Sequence, residues 1–90
     1  MFDLTYTNKF LKDYRISDKR QFDLELIDEV IKILEQDGSL PSSFRPHKLF
    51  GKFADCLECH IRPDWLLIWM KDDQNQEITL IRTGTHSDLF

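Results

Sequence analysis

The sequence lacks any long apolar stretch. Its longest apolar run, Trp65 to Met70, falls far short of the ~20 residues that a membrane-spanning helix requires. The residues from Met1 to Thr5 also lack the basic segment followed by an apolar segment that is typical of a secretory signal peptide. We therefore expect a cytoplasmic protein. The 90 residues contain no internal repeat, low-complexity segment or linker, and they predict a single domain spanning residues 1–90.

Cysteine is scarce, with two residues, Cys56 and Cys59. Together with His60 they have the spacing of a covalent haem attachment site. The surrounding stretch, 56–61, alternates as a strand does, and residues three apart on a strand point to opposite faces. The two thiols would then neither share a metal ion nor form a disulfide. We expect two reduced cysteines packed as small apolar groups, no bound metal and no cofactor.

Positive charge is also limited. The chain has 12 lysine and arginine residues against 16 aspartate and glutamate residues, a net charge of −4. This balance does not favour electrostatic binding of nucleic acid over the whole surface. The stretch 44–66 is the exception, because its basic residues outnumber its carboxylates. The basic residues are Arg45, Lys48, Lys52 and Arg62. This segment suits a local anionic ligand.

The apolar pattern predicts a strand followed by two helices. Phe2, Leu4 and Tyr6 alternate with polar residues, as in a half-buried strand. Thr7 or Asn8 is a suitable cap for a short helix, and Ser17 or Asp18 is expected to begin a longer one. Gly38 is expected to end the longer helix in the left-handed conformation. The apolar face of that helix comprises Phe22, Leu26, Ile27, Val30, Ile31, Ile33 and Leu34.

Three further strands are predicted in the second half of the chain. They cover residues 56–61, the apolar run after Trp65 and the alternating stretch 77–83, joined by turns at Pro63-Asp64 and at 71–76. The resulting order is β-α-α-β-β-β. We therefore predict an α+β fold, a small and mostly antiparallel four-stranded sheet with two N-terminal helices on one face.

The turn between the second and third strands carries a dense group of titratable side chains. Glu58, His60, Arg62 and Asp64 lie within a few residues of one another, which is typical of a functional site, although a polar hairpin tip is the alternative. The chain has three histidines in all, His47, His60 and His86, each near a turn or strand end. Brought together they would make an acid–base site, whereas spacing alone leaves each of them equally compatible with a structural role.

Three blocks carry a resemblance to a known family. They are Pro46-His47-Lys48-Leu49 with Gly51, the run His60-Ile61-Arg62-Pro63-Asp64-Trp65 continuing to Ile68, and Arg82-Thr83-Gly84-Thr85-His86 continuing to Phe90. With these blocks the chain resembles the YafQ-type mRNA interferases of the RelE/ParE superfamily, the toxins of bacterial toxin–antitoxin pairs. The strand–helix–helix opening also fits, so the resemblance covers nearly the whole chain.

The resemblance implies a ribosome-dependent endoribonuclease that cleaves translated messenger RNA. In such a reaction a ribose 2′-hydroxyl attacks the adjacent phosphate and expels the 5′-oxygen. No metal ion is needed if the protein supplies a base, an acid and a positive group for the phosphate. The resemblance also implies the partners, namely a cognate RelB- or DinJ-like antitoxin, the ribosome and messenger RNA. No membrane is involved, and the free toxin is expected to be a monomer.

The family's functional positions imply four catalytic residues, His47, His60, Asp64 and His86. The histidines would share proton transfer and phosphate contact, with Asp64 orienting one of them; which is the acid and which the base stays open. Supporting or substrate-binding roles are implied for Glu58, Trp65, Arg82, Phe90, Lys48 and Arg62. Arg82 is expected to hold the phosphate, because its planar fork is always charged. Phe90 is expected to stack on a base or order the tail, with packing in the core as the alternative.

Two features of the chain depart from the family pattern, and two other functions are alternatives to the nuclease. The chain is acidic where these toxins are typically basic, and Glu58 stands where the family usually has aspartate. One alternative is a ParE-like toxin of the same fold that binds a target such as gyrase and has no nuclease activity. The other is an interaction module without activity, which would need the core but not Asp64 or His86.

Overall fold

A computed structural model describes all 90 residues, Met1 to Phe90. The elements in order are β1 (Asp3–Tyr6), α1 (Asn8–Lys19), α2 (Leu24–Asp37), β2 (His47–Lys48), β3 (Leu57–Arg62), β4 (Trp65–Asp72), β5 (Glu77–Gly84) and α3 (His86–Leu89). Single 3₁₀ turns at Ser42–Phe44 and Gly51–Phe53 lie on either side of β2. No helix has the length and apolar character needed to cross a membrane. The predicted α+β class is confirmed.

The strands form one sheet in the order β1-β5-β4-β3-β2. β1 runs parallel to β5, and the other neighbours are antiparallel. The sheet therefore has five strands, and the predicted count of four was wrong. The additional strand is β2, which pairs His47 with Glu58 and Lys48 with Leu57. Two exposed residues cannot display the alternation by which a strand is recognised in a sequence.

The predicted start of the second helix was also wrong. α1 continues through Ser17 and Asp18 and ends at Lys19. The hydroxyl of Ser17 donates to the backbone carbonyl of Asp13, one turn earlier, so this buried side chain is satisfied inside the helix. At the other end of α1 the side chain of Thr7 caps the helix, as predicted.

α2 is capped at its start by a side chain and at its end by a residue in the left-handed conformation. It begins at Leu24, because the carboxylate of Asp23 accepts the backbone N–H of Glu25. It ends at Gly38, whose φ of 71° confirms the predicted left-handed cap. A Cβ atom on this residue would also lie 2.3 Å from a ring carbon of Phe2, so only glycine fits.

The sheet packs a different apolar cluster on each face. Alternate residues of β4 point to opposite faces, so Leu67 and Trp69 join one cluster, and Leu66 and Ile68 join the other. The larger cluster takes its helical members from both α1 and α2, which confirms that the two helices share one face. Its 11 residues are Phe2, Phe10, Ile27, Val30, Leu34, Cys59, Trp65, Leu67, Trp69, Ile78 and Leu80. The smaller cluster is Phe53, Cys56, Leu66, Ile68 and Leu89.

The two cysteines are divided between these clusters. Cys59 lies under the helices and Cys56 lies on the other face, and both are unpaired thiols. This confirms the prediction that they point to opposite faces. Burial raises the pKa of the Cys59 thiol to about 12, and it also raises the pKa of Cys56. Both therefore pack as small apolar groups.

Candidate active site

The structure brings the three histidines together in a row. The ring centroid of His60 lies 5.9 Å from that of His47 and 6.0 Å from that of His86. Strand pairing explains this placement, since His60 in β3 is opposite Leu66 in β4, which is opposite Gly84, two residues before His86. His60 therefore shares the face of Leu66, the one that α1 and α2 leave uncovered.

Glu58 lies beside His47 at one end of the row. The two residues face each other across β2 and β3, and Oε1 of Glu58 is 3.1 Å from Nε2 of His47. The Nδ1 atom of His47 lies 2.9 Å from the carbonyl oxygen of Arg45. A carbonyl only accepts, so Nδ1–H donates and Nε2 is the nitrogen that faces the carboxylate. The Glu58 side chain is 5% exposed, and its second oxygen, Oε2, has no hydrogen-bond partner.

His60 occupies the middle of the row. Its Nδ1 atom lies 3.3 Å from the carbonyl oxygen of Pro63, in the turn that follows β3. A register shift between His60 and Arg62 accompanies this turn, and such irregularities re-aim side chains near functional sites. One potential ligand atom from each of His47, Glu58 and His60 lies within 4.8 Å of the others. This trio is the one set of residues placed to hold a metal ion.

Asp64 forms the other end of the row with His86. Its Oδ1 atom accepts the backbone N–H of His86 at 2.9 Å and the ring Nδ1–H at 2.6 Å. Both bonds lower the pKa of the Asp64 carboxyl, and the bond from the backbone N–H has the larger effect. The carboxylate fixes the tautomer and leaves Nε2 of His86 available. Both side chains are more than half exposed, at 55% for His86 and 65% for Asp64, so a large substrate can reach them.

The position of His86 depends on how α3 is anchored. Thr85 and Asp88 form a reciprocal capping box at the start of this helical turn. Asp88 also accepts two hydrogen bonds from the guanidinium of Arg20, at 2.7 and 3.1 Å, beyond the end of α1. The bonds from Arg20 are the largest cause of an Asp88 pKa well below its usual range. This anchor could not be predicted from the sequence, because Arg20 and Asp88 lie 68 positions apart and no local pattern connects them.

Arg82, for which the sequence analysis predicts a contact with phosphate, is paired with a carboxylate in the structure. Its Nε and Nη2 atoms donate to the carboxylate of Asp13 in α1 at 2.6 and 3.1 Å, and this raises the Arg82 pKa. Asp13 also accepts the backbone N–H of Thr83. The two charged side chains are 18% and 11% exposed. The guanidinium is thus engaged in holding α1 against β5, and we do not assign it to a phosphate.

The two aromatic residues expected to support the site differ in exposure. Trp65 is buried, packs edge-on against Phe22 and donates its indole N–H to the hydroxyl of Thr83. It is part of the core under the helices. Phe90 remains 62% exposed and contacts the ring of Phe53 edge-on, with centroids 5.5 Å apart. Its exposed ring surface is available for stacking.

The four basic side chains of the stretch 44–66 are exposed. They are Arg45, Lys48, Lys52 and Arg62. None of them takes part in a salt bridge. These unpaired cations are available to the phosphates of a nucleic acid or to an acidic peptide.

The comparisons with known proteins identify the family. The model of the YafQ bacterial toxins of type II toxin–antitoxin systems matches residues 2–90. The chain belongs to this family. It is 30% identical over 89 residues to the mRNA interferase toxin YafQ of Escherichia coli K12, and the match covers 98% of this chain and 95% of the relative. The resemblance found in the sequence is thereby confirmed.

Solved structures agree on the fold. The E. coli DinJ–YafQ complex contains a chain with a TM-score of 0.90 and 30% identity, covering 100% of this chain and 99% of that one. A metal-bound toxin from Helicobacter pylori has a TM-score of 0.90 and 37% identity, with 100% of both chains covered. The chain is therefore a type II toxin by family, with the same architecture as these relatives.

Proposed function

We propose that this toxin is a ribosome-dependent endoribonuclease that cleaves messenger RNA by acid–base catalysis without a metal ion. The observation that carries the proposal is the row of three imidazoles with a carboxylate at each end. Glu58 contacts His47 at one end, and Asp64 contacts His86 at the other. A module that only binds a partner has no need of such a row.

The arrangement suits an in-line attack of a 2′-hydroxyl on the adjacent phosphate. The incoming 2′-oxygen and the departing 5′-oxygen lie on opposite sides of the phosphorus atom. One side therefore needs a base and the other an acid, with a positive group between them for the developing charge. The row offers groups in this order, with His60 in the middle.

His86 is the general acid in this proposal. The Asp64 carboxylate has a lowered pKa, so it stays ionised and stabilises a positively charged imidazole through Nδ1–H. The opposite nitrogen, Nε2, then delivers its proton to the departing 5′-oxygen. At the other end, His47 and Glu58 act together as the base, and the proton taken from the 2′-hydroxyl is held between Nε2 and Oε1, which are 3.1 Å apart.

The proposed partners follow from the charge around the row and from the relatives. The E. coli relative forms a complex with DinJ, and we extend this to a DinJ-like antitoxin for the present chain. Its acidic segment would cover the exposed cations near the histidines, Arg45, Lys48, Lys52 and Arg62. The same cations would contact the phosphates of messenger RNA on the ribosome, so antitoxin and RNA would compete.

The test compares His86→Ala and Asp64→Ala with the wild-type chain in a translation system. Loss of a general acid typically lowers a rate by about 10²–10⁴-fold. We expect cut messenger RNA, mapped by primer extension, to fall by that factor in His86→Ala, while ribosome binding and the circular dichroism spectrum are unchanged. Ser87→Ala is the matched control, because this neighbouring exposed residue makes no side-chain hydrogen bond; it should cleave at the wild-type rate.

Two outcomes would contradict the proposal. Cleavage by His86→Ala and Asp64→Ala at the wild-type rate would show that neither side chain is catalytic. Growth arrest by the wild-type toxin with no cut messenger RNA would instead favour a toxin of the same fold that acts by binding its target.

A further inference from the structure

We propose that a cleft beside Asp64 binds the nucleobase that follows the cut in messenger RNA, and that it favours nucleobases with an amino group over uracil. The cleft has a volume of about 370 Å³, within the ~300–1,000 Å³ of typical small-molecule sites. That the occupant belongs to messenger RNA rests on the function proposed above. The lining residues are Gln21, Phe22, Asp23, Arg62, Asp64 and Trp65.

The cleft lies between two connections of the fold. One wall is the connection from α1 to α2, residues 21–23, and the other is the hairpin where β3 turns into β4. The ring of Phe22 packs edge-on against Trp65, with centroids 5.0 Å apart, and these two rings form the apolar part of the lining. Because Trp65 is buried in the core, this packing fixes the two walls relative to each other.

The polar groups of the cleft have unused hydrogen-bonding capacity. Asp23 uses Oδ1 to cap α2, and Asp64 uses Oδ1 to hold His86, so Oδ2 of each carboxylate is free to accept. The guanidinium of Arg62 takes part in no salt bridge. Two carboxylates against one guanidinium disfavour a phosphate in the cleft. Apolar rings beside free acceptors suit a flat group that offers N–H donors.

An unpaired nucleobase is such a group. Proteins stack unpaired nucleobases on aromatic rings or arginine and form hydrogen bonds to their edges. Adenine, cytosine and guanine each carry an exocyclic amino group, whereas uracil has carbonyl oxygens on both sides of its ring N–H. An ionised carboxylate only accepts hydrogen bonds, so it attracts an amino group and repels a carbonyl oxygen. Uracil is therefore the poorest occupant of the cleft.

Asp64 determines which nucleotide the cleft receives, because it belongs to both the cleft and the histidine row. Its Oδ1 atom accepts the ring N–H of His86 at 2.6 Å, and His86 is the proposed acid for the departing 5′-oxygen. That oxygen belongs to the nucleotide after the cut. The nucleotide before the cut carries the 2′-hydroxyl and lies toward His47, at the opposite end of the row.

The cleavage test uses the full chain, ribosomes and four translated messages that differ only in the nucleobase after one mapped cut. We expect the message with uracil to be cut about tenfold more slowly than the best of the others, as for the loss of a hydrogen-bonded nucleobase contact. Asp23→Asn keeps a good cap for α2 and adds an amide donor that a carbonyl oxygen accepts. It should reduce the difference between uracil and the other nucleobases by at least about threefold.

Glu25→Gln is the matched control for Asp23→Asn. It removes the same charge from an exposed side chain two residues away that does not line the cleft. We expect this variant to keep the wild-type preference among the four messages. Circular dichroism spectra of both variants should match that of the wild-type chain.

A binding test examines the cleft without catalysis. Nucleosides carry no phosphate, and in an NMR titration of the wild-type chain we expect them to shift the backbone amide signals of Phe22, Asp64 and Trp65. Adenosine, cytidine and guanosine should do so at lower concentrations than uridine. Nucleoside binding at these amides by a chain that cuts no message would overturn the nuclease and confirm the nucleobase site.

Three results would overturn the nucleobase site itself. They are equal cleavage of the four messages by the wild-type toxin, an unchanged preference in folded Asp23→Asn, and nucleoside titrations that leave the three amide signals in place. Each of them can occur in a chain that is an active nuclease, so they are distinct from a failure of the proposed function.

Discussion

The two faces of the sheet have different roles. On one face, α1 and α2 cover a cluster of 11 buried residues. On the other, a cluster of five residues lies under α3 and a 3₁₀ turn, and the histidine row stands beside it. The first face holds most of the apolar burial and therefore most of the stability. The second keeps charged and titratable groups within reach of solvent.

Two ion pairs show the same division. Arg82 and Asp13 join α1 to β5, with 18% and 11% of their side chains exposed. His86 and Asp64 form an equally short pair with 55% and 65% exposed. The former is enclosed and holds two elements together. The latter stands in solvent, where it stabilises little but can exchange a proton with a substrate.

The largest effect is expected on the helix face. Ile27 is fully buried in α2, and Ile27→Asp would place an unpaired charge in the core, which costs several kcal/mol. Since small domains are stable by about 5–15 kcal/mol in total, we expect a chain that is largely unfolded by circular dichroism. Leu11→Asp, at a position 40% exposed, is the control and should stay folded. A melting temperature of Ile27→Asp equal to that of the wild-type chain would show that α2 does not form the core.

A smaller effect is expected where Arg20, just after α1, holds Asp88 of α3 on the face that carries the histidines. Asp88→Ala removes both the reciprocal cap of α3 and the bonds from Arg20. A cap contributes about 1 kcal/mol, so the turn that carries His86 should fray and cleavage should fall by about five- to tenfold. Arg20→Gln keeps the cap and should lose less. The comparison of cleavage rate with melting temperature is decisive: a large drop in melting temperature for Asp88→Ala would mean that α3 belongs to the cooperative core.

The reactivity of the two thiols gives a chemical test of the difference between the two faces of the sheet. Cys59, under the helices, has a pKa of about 12. The pKa of Cys56, on the face that carries the histidines, is also raised, and this residue is slightly less buried than Cys59. Because the thiolate is the reacting form, the native chain at pH 8 should be alkylated slowly at Cys56 and not detectably at Cys59, as read by mass spectrometry. Both should react in denaturant. Modification of Cys59 before Cys56 would contradict the assignment of faces.

The smallest effect is that of pH on the site face. Asp64 and Asp88 both have lowered pKa values in the folded chain. A lowered pKa means that the group's contribution to stability is complete above its unfolded value, about 3.9, and is lost as the pH falls through the folded value. We expect α3 to stay anchored from pH 8 down to about 5 as far as these carboxylates are concerned, and to detach in stronger acid. Carboxyl titrations by NMR with midpoints above about 4 would contradict this.

The sequence was informative wherever a structural choice is local. The alternation through 56–61 placed Cys56 and Cys59 on opposite faces, and the apolar spacing with Gly38 defined the packing face and the end of α2. These features depend on the period of one element or on the conformation of one residue. The same alternation puts Glu58 and His60 on one face, a signal for the buried carboxylate beside the histidines that the sequence analysis did not use.

The remaining features depend on partners far along the chain. β2 exists because β3 offers it an edge, and Ser17 stays helical because its hydroxyl finds a carbonyl within α1. The side chain of Arg82 turns to Asp13, 69 positions away. Periodicity cannot predict such pairings. The histidine row itself arises from the register of β2, β3, β4 and β5. The family resemblance therefore named the residues, and only the fold could place them side by side.

The parallel pairing of β1 with β5 has a kinetic consequence. Asp3 pairs with Glu77 and Tyr6 with Leu80, so this ladder closes a loop of nearly the whole chain, whereas β3, β4 and β5 are joined by short turns. Closing a long loop costs entropy before any contact compensates it, and such contacts slow folding. We expect the β3–β4–β5 meander to form first and β1 to dock last, so that pulsed hydrogen exchange protects the amides of β4 before those of β1. The toxin would thus acquire the strands that frame its histidines before its own sheet is complete.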